Sequence, residues 1–161
     1  WHNDSGFLTS LAGDMYIDDT SGKALPASEV DPEAGLYVTD RSGKSIHVNI
    51  PPDCLAVQIG ECVQILTGGV VVSTPHCVRG PRVGWNPNSS KKVARISHPC
   101  FIDSKPTFPL LMPEGCSRED VAQAGLGRGK VPLLEDRWIE NGMTFGDFLQ
   151  KTFEKYYDWQ G

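Results

Sequence analysis

This sequence has no long apolar run and no basic stretch. No uninterrupted apolar segment reaches the roughly 20 residues of a membrane-spanning helix, so no membrane partner is expected. Basic residues are scattered, Lys91-Lys92 being the one adjacent pair, and the net charge is −5. That balance gives no electrostatic footprint for phosphate contacts, and nucleic acid is not an expected partner. Cysteine is sparse: Cys54, Cys62, Cys77, Cys100 and Cys116 are odd in number and show no Cys-x-x-Cys spacing. A thiolate zinc site is therefore not expected, and the thiols read as free in a reducing, cytoplasmic compartment. No methionine precedes Trp1, so the sequence is expected to be processed or a fragment.

What is present fits one soluble domain. The chain has 161 residues, 39% of them hydrophobic and 22% charged, enough for a usable core. Asn3-Asp4-Ser5 and Asn88-Ser89-Ser90 match the Asn-x-Ser glycosylation pattern, which is common by chance and carries no expectation here.

The middle of the chain reads as β. "FLTSLAGDMY" (7–16) alternates imperfectly, with Phe7, Thr9 and Leu11 on one face, and 20–35 is a polar loop rich in Pro, Gly and Ser. "GLYVTD" (35–40) and "KSIHVNI" (44–50) flank a short Ser-Gly turn and read as a hairpin. "CLAVQIGECVQIL" (54–66) reads as a strand interrupted at Gly60, followed by a turn at 67–69. "VVVSTPHCV" (70–78) reads as a strand bent at Pro75, 80–92 as a loop, and "VARISHPCFI" (93–102) as the last strand. Short strands punctuated by Gly and Pro predict a sandwich or barrel.

The C-terminal part changes character. Ser117 with Asp120, and Thr144 with Asp147, are capping-box patterns ahead of helices. In 143–159 the apolar residues Phe145, Phe148, Leu149, Phe153, Tyr156 and Tyr157 fall at helical spacing, which predicts a helix laid against the β domain. The expected division is a β core over 1–116 and a helical extension over 117–161.

Four histidines are candidates for chemistry. His47 reads as a surface or rim residue and His98 as a packed one. His2 and Asp4 stand two apart, so on an extended chain both point one way while Asn3 points the other. Alone, His-x-Asp arises by chance in many proteins. His76 on a later strand adds a second imidazole. Two neutral imidazoles and a carboxylate leave open positions on an octahedral ion, the donor set of non-haem iron(II) oxygenases.

The order of motifs resembles the iron(II)/2-oxoglutarate-dependent dioxygenases, in particular the isopenicillin N synthase-like superfamily. The matching residues are His2-Asn3-Asp4, Gly35-Leu36-Tyr37-Val38, Ile59-Gly60-Glu61-Cys62-Val63-Gln64, Thr67-Gly68-Gly69, Ser73-Thr74-Pro75-His76-Cys77-Val78 and Arg95-Ile96-Ser97. Glu61 stands where the family usually has aspartate, and the inserted stretch "RGPRVGWNPNSSKK" (79–92) makes Arg79 and Arg82 rival candidates for the role of Arg95.

The resemblance implies a mainly β fold, a double-stranded β-helix (jelly-roll, cupin-like) with C-terminal helices, incomplete at its N-terminus. It implies iron(II) held by His2, Asp4 and His76, and 2-oxoglutarate held through its distal carboxylate by Arg95 and Ser97. A planar guanidinium suits a carboxylate because it forms two parallel hydrogen bonds. The implied reaction oxidises a small organic substrate with O2 and releases succinate and CO2. Two other readings stay open: a degenerate module that kept the fold without turnover, in which case the fragment itself is inactive, and a metal-dependent hydrolase or isomerase on a cupin-like barrel. A hydrolase has no need of an Arg-x-Ser carboxylate anchor. A structural alternative for Arg95 is a salt bridge to an acid such as Glu61.

Overall fold

The computed structural model describes residues 1–82, 84–86, 91–126 and 129–158, the side chain of 158 excepted. The Asn88-Ser89-Ser90 pattern, part of the 80–92 loop and Trp159 lie outside the described residues. The described chain is mainly β, with strands β1 (Leu8–Leu11), β2 (Met15–Asp18), β3 (Gly35–Thr39), β4 (Ser45–His47), β5 (Ala56–Ile59), β6 (His76–Arg79), β7 (Val93–Ile96) and β8 (Pro99–Ile102). The helices are α1 (Glu61–Leu66), α2 (Arg118–Gln123) and α3 (Phe145–Asp158). None of them is long and apolar enough to cross a membrane.

All pairing between these strands is antiparallel. β1 lies between β5 and β8, β2 pairs with β7, and β3 lies between β4 and β6. The β3–β4 hairpin forms as the sequence predicts, with Tyr37 opposite His47.

The segment after Gly60 differs from the expected strand: it is α1. Two features explain the switch. Glu61, Cys62, Gln64 and Ile65 are all buried, a spacing that puts them on one helical face. The first amides of the helix, which have no partner within it, are taken by the N-terminal segment. Glu61 N–H donates to the Asp4 carbonyl at 2.8 Å and Cys62 N–H to the Gly6 carbonyl at 3.1 Å. Gly60 lies so close to Gly6 that a β-carbon there would run into its carbonyl.

Two other strands are shorter than expected. Residues 70–75 are irregular because Ser73 is tied to α1: its backbone N–H and its hydroxyl both donate to Gln64 Oε1 at 3.0 Å. The expected single strand over 93–102 is two, since β7 pairs with β2 and β8 with β1. The chain changes sheets at Ser97-His98, and Pro99, which lacks an N–H, opens β8.

At both expected capping boxes the N-cap hydroxyl takes the amide three residues on. The Asp120 N–H donates to the Ser117 hydroxyl at 3.0 Å, and the Asp147 N–H to the Thr144 hydroxyl at 3.2 Å. The apolar core gathers around these helices. It joins Cys62 and Ile65 of α1, Val121 and Ala122 of α2, Phe145 and Phe148 of α3, and Leu110, Leu134, Trp138 and Met143. Fully burying a side chain such as Phe148 contributes about 1.5–3 kcal/mol. Phe153 and Tyr157, expected on the same face, turn outward at 59% and 89% exposure. All five cysteines are free, and burial pushes the Cys62 thiol pKa well up, so it stays protonated.

Candidate functional site

His2 meets β6 through an antiparallel bridge. His2 N–H donates to the His76 carbonyl at 3.0 Å, and His76 N–H donates back at 2.9 Å. Residues directly opposite across such a pair share a face, and the two imidazole centroids are 4.1 Å apart. Asp4, two residues on, joins them on that face. His2 Nε2 lies 3.6 Å from Asp4 Oδ1, and His76 Nε2 lies 3.5 Å from the same oxygen. One ligand atom from each residue falls within 4.8 Å of the others. Imidazole and carboxylate donors bind first-row metals at about 2.0–2.2 Å, so a small contraction around an ion closes this set.

The ring orientations suit a pair of ligands. His76 Nδ1 is 3.2 Å from the Thr74 carbonyl, which accepts an N–H but offers none. Nε2 is the ring nitrogen turned toward Asp4, 3.5 Å from Oδ1. The His2 pKa is lowered, foremost by burial and then by the His76 imidazole, while Asp4 acts the other way. Its ring is therefore neutral at neutral pH. His76 is 6% exposed and points inward.

Asn3 faces away from this point. Its side-chain N–H donates to Glu61 Oε1 at 3.0 Å, and its backbone N–H donates to the Tyr156 hydroxyl of α3 at 3.1 Å. The segment that carries His2 and Asp4 is thus held by α1 on one side and by α3 on the other.

Two residues of the site were not read from the sequence. The Thr9 hydroxyl donates to Asp4 Oδ2 at 2.5 Å, and Gln58 Nε2 donates to the same oxygen at 2.8 Å. Gln58 Nε2 also lies 2.9 Å and 3.0 Å from the two ring nitrogens of His76. A polar residue on an inward strand position was the available signal, visible at Thr9 but hidden at Gln58 until its pairing with Thr9 is known.

The donors open onto a cavity of about 820 Å³ whose wall includes Arg95 and Ser97. Arg95 sits opposite Tyr16 on the β2–β7 pair, and its Nη2 contacts Asp14 Oδ1 at 2.7 Å. The acid beside Arg95 is therefore Asp14 and not Glu61, which pairs with Arg137. Among the described residues Arg95 Nε is buried without a hydrogen-bond partner, while the Tyr16 hydroxyl lies against Asp14 and Arg95. Burial, followed by the Asp14 carboxylate, raises the Tyr16 pKa. An unsatisfied buried donor such as Arg95 Nε suits an anionic or carbonyl oxygen. Arg79 and Arg82 are engaged elsewhere, with Glu33 at 2.7 Å and Asp31 at 2.8 Å.

His47 is exposed at the cavity rim and stacks on Tyr37 with centroids 4.7 Å apart. Gly35, at φ 129°, leaves it room, since a β-carbon there would come within 2.8 Å of His47 Nε2. His98, expected to be packed, is exposed in the connection where the chain changes sheets.

No family model matches the chain, and no curated protein does. Among solved structures the chain is similar to a Caulobacter crescentus protein provisionally described as a 2OG-Fe(II) oxygenase family member, with 27% identity and a TM-score of 0.59 over 96% of this chain. The chain spans 39% of the length of that protein. The likeness is to 2OG-Fe(II) oxygenases at large and does not reach the isopenicillin N synthase-like branch in particular.

Proposed function

We propose that this chain is the metal-bearing part of an iron(II)- and 2-oxoglutarate-dependent oxygenase of the isopenicillin N synthase-like type. Its core over 1–116 is read as a double-stranded β-helix and 117–161 as a helical extension packed on it. The observation that carries the reading is the meeting of two imidazoles and one carboxylate at a cavity wall that also bears Arg95. That donor set fits iron(II). Arg95, whose Nε has no hydrogen-bond partner among the described residues, fits a carboxylate-bearing cosubstrate.

When bound, iron and 2-oxoglutarate would supply O2-dependent oxidation of a small organic substrate with release of succinate and CO2. The chain's own residues do the positioning. His2, Asp4 and His76 would hold the ion. Arg95 and Ser97, both on the cavity wall, would receive the distal carboxylate. Free thiols fit a reducing, cytoplasmic compartment.

A second reading draws on one contact. Asp14 already engages Arg95, which favours a binding module that kept the fold without turnover. Anaerobic iron(II) titration, followed by 2-oxoglutarate titration and a succinate-release assay, separates the two. Metal binding lost in His76→Ala, with succinate released by the parent protein, supports the oxygenase. Metal and 2-oxoglutarate binding without succinate supports the module. Equal metal binding by His76→Ala and the parent removes the assigned centre.

A further inference from the structure

The two oxygens of Asp4 have different surroundings. Oδ1 faces both imidazoles, at 3.6 and 3.5 Å. Oδ2 faces the protein and accepts from the Thr9 hydroxyl at 2.5 Å and from the Gln58 amide at 2.8 Å. We propose that Thr9 and Gln58 are positioning residues that hold Asp4 as a one-oxygen metal ligand and so keep coordination positions open. This inference rests on the metal reading above and adds what sets the denticity of its carboxylate.

Each carboxylate oxygen has about two lone-pair directions. Both of those on Oδ2 are taken by protein donors. Turning Oδ2 toward an ion would strand the Thr9 hydroxyl and the Gln58 amide, which are 3% and 9% exposed and so have little access to water. The two donors face each other directly across β1 and β5, so they act as a rigid pair. The Gln58 amide also touches the His76 ring, and a single side chain thereby sets the relative orientation of two of the three donors. Two imidazoles and one carboxylate oxygen fill three positions of an octahedral ion; a two-oxygen carboxylate would take a fourth. A cosubstrate that chelates through two atoms, together with O2, needs all three remaining positions.

The test is an anaerobic titration of Co(II) into the chain, with visible absorption reporting coordination and melting of the metal-free protein reporting the fold. Thr9→Val and Gln58→Met remove the donors at near-constant shape, and Thr9→Ser keeps the hydroxyl. The expected result is about 10–100-fold weaker Co(II) binding in the first two, the range typical of lost outer partners of metal ligands, with altered absorption bands. Thr9→Ser keeps wild-type affinity and bands. If Gln58→Met does not fold, the contrast of Thr9→Val with Thr9→Ser decides. Wild-type affinity and bands in the folded donor-deleted variants overturn the inference and leave the metal reading standing. Weaker binding with unchanged bands overturns the denticity argument. Failure of the wild type to bind Co(II) overturns both.

Discussion

Replacing Arg137 by Met should destabilise the chain more than most single changes. Arg137 is 0% exposed and Glu61 1%, and two charge-assisted bonds join them, Nη1 to Oε2 at 2.6 Å and Nη2 to Oε1 at 2.5 Å. The remaining guanidinium protons reach the Pro132 carbonyl at 3.1 Å, the Leu133 carbonyl at 3.3 Å and the Thr152 hydroxyl at 3.3 Å. Methionine fills much of the volume but supplies no donor. Glu61 would then be buried as an anion with, among the described residues, the Asn3 side chain alone still donating to it. Breaking one half of a buried pair costs about 3–5 kcal/mol. At about 2–4 °C per kcal/mol for a chain of this size, the melting temperature of the metal-free protein should fall by about 6–20 °C. The double variant Glu61→Gln/Arg137→Met should recover part of that loss, because no unpaired charge remains. The Asn3 contact carries a second effect, since looser Glu61 weakens the hold on the His2–Asp4 segment and should lower metal affinity. Arg137→Met melting within about 3 °C of the wild type, with the double variant no more stable, would refute the reasoning.

Arg95→Gln should weaken 2-oxoglutarate binding by about 2–5 kcal/mol, the loss typical of a truncated buried charge pair, while leaving iron(II) affinity near wild type; anaerobic titration measures both, and unchanged cosubstrate affinity removes Arg95 as the anchor. Gly60→Ala should cost about 1–3 kcal/mol, the usual penalty of overpacking, because its methyl group meets the Gly6 carbonyl; denaturant unfolding gives the value, and a neutral result would mean that the 4–6 segment yields freely. The Asp31 carboxyl is held well below the usual carboxylate range, foremost by hydrogen bonds from the Arg82 side chain. Its folded pKa is depressed, so its contribution is present above the unfolded value of about 3.9 and is lost as pH falls below it. Melting followed from pH 6 down to pH 2 should therefore show a steeper acid loss in the wild type than in Arg82→Gln, and parallel curves would contradict the assignment.

Features that depend on neighbours in the chain were legible in the sequence. The two N-cap hydroxyls and the β3–β4 hairpin follow from residues three to six apart, and these form where expected. The approach of His2, Asp4 and His76 was legible in part: alternation orients the first two, while His47 also sits in a strand, and the order of motifs singled out His76. What escaped was decided by distant partners. The helix after Gly60 depends on carbonyls of Asp4 and Gly6 that take its first amides, a fact of packing and not of local propensity. The partner of Glu61 is 76 residues away at Arg137. Asp14 as the companion of Arg95, and Gln58 as a donor to Asp4, become visible only once the strand partners are known.

The apolar core lies among α1, α2, α3 and the segments near Leu110 and Trp138, whereas the sheets enclose the cavity. Under the proposed function, folding energy and ligand selection therefore reside in different parts of the chain. Apolar cavity-wall positions such as Met15, exposed at 53%, contribute little to what keeps the chain folded. Such positions are free to vary in size and polarity without threatening the fold. A library restricted to the wall, with His2, Asp4, His76, Thr9 and Gln58 held constant, should yield mostly folded proteins that differ in which small molecules they accept. This division of labour makes the scaffold suited to acquiring new substrates by few substitutions.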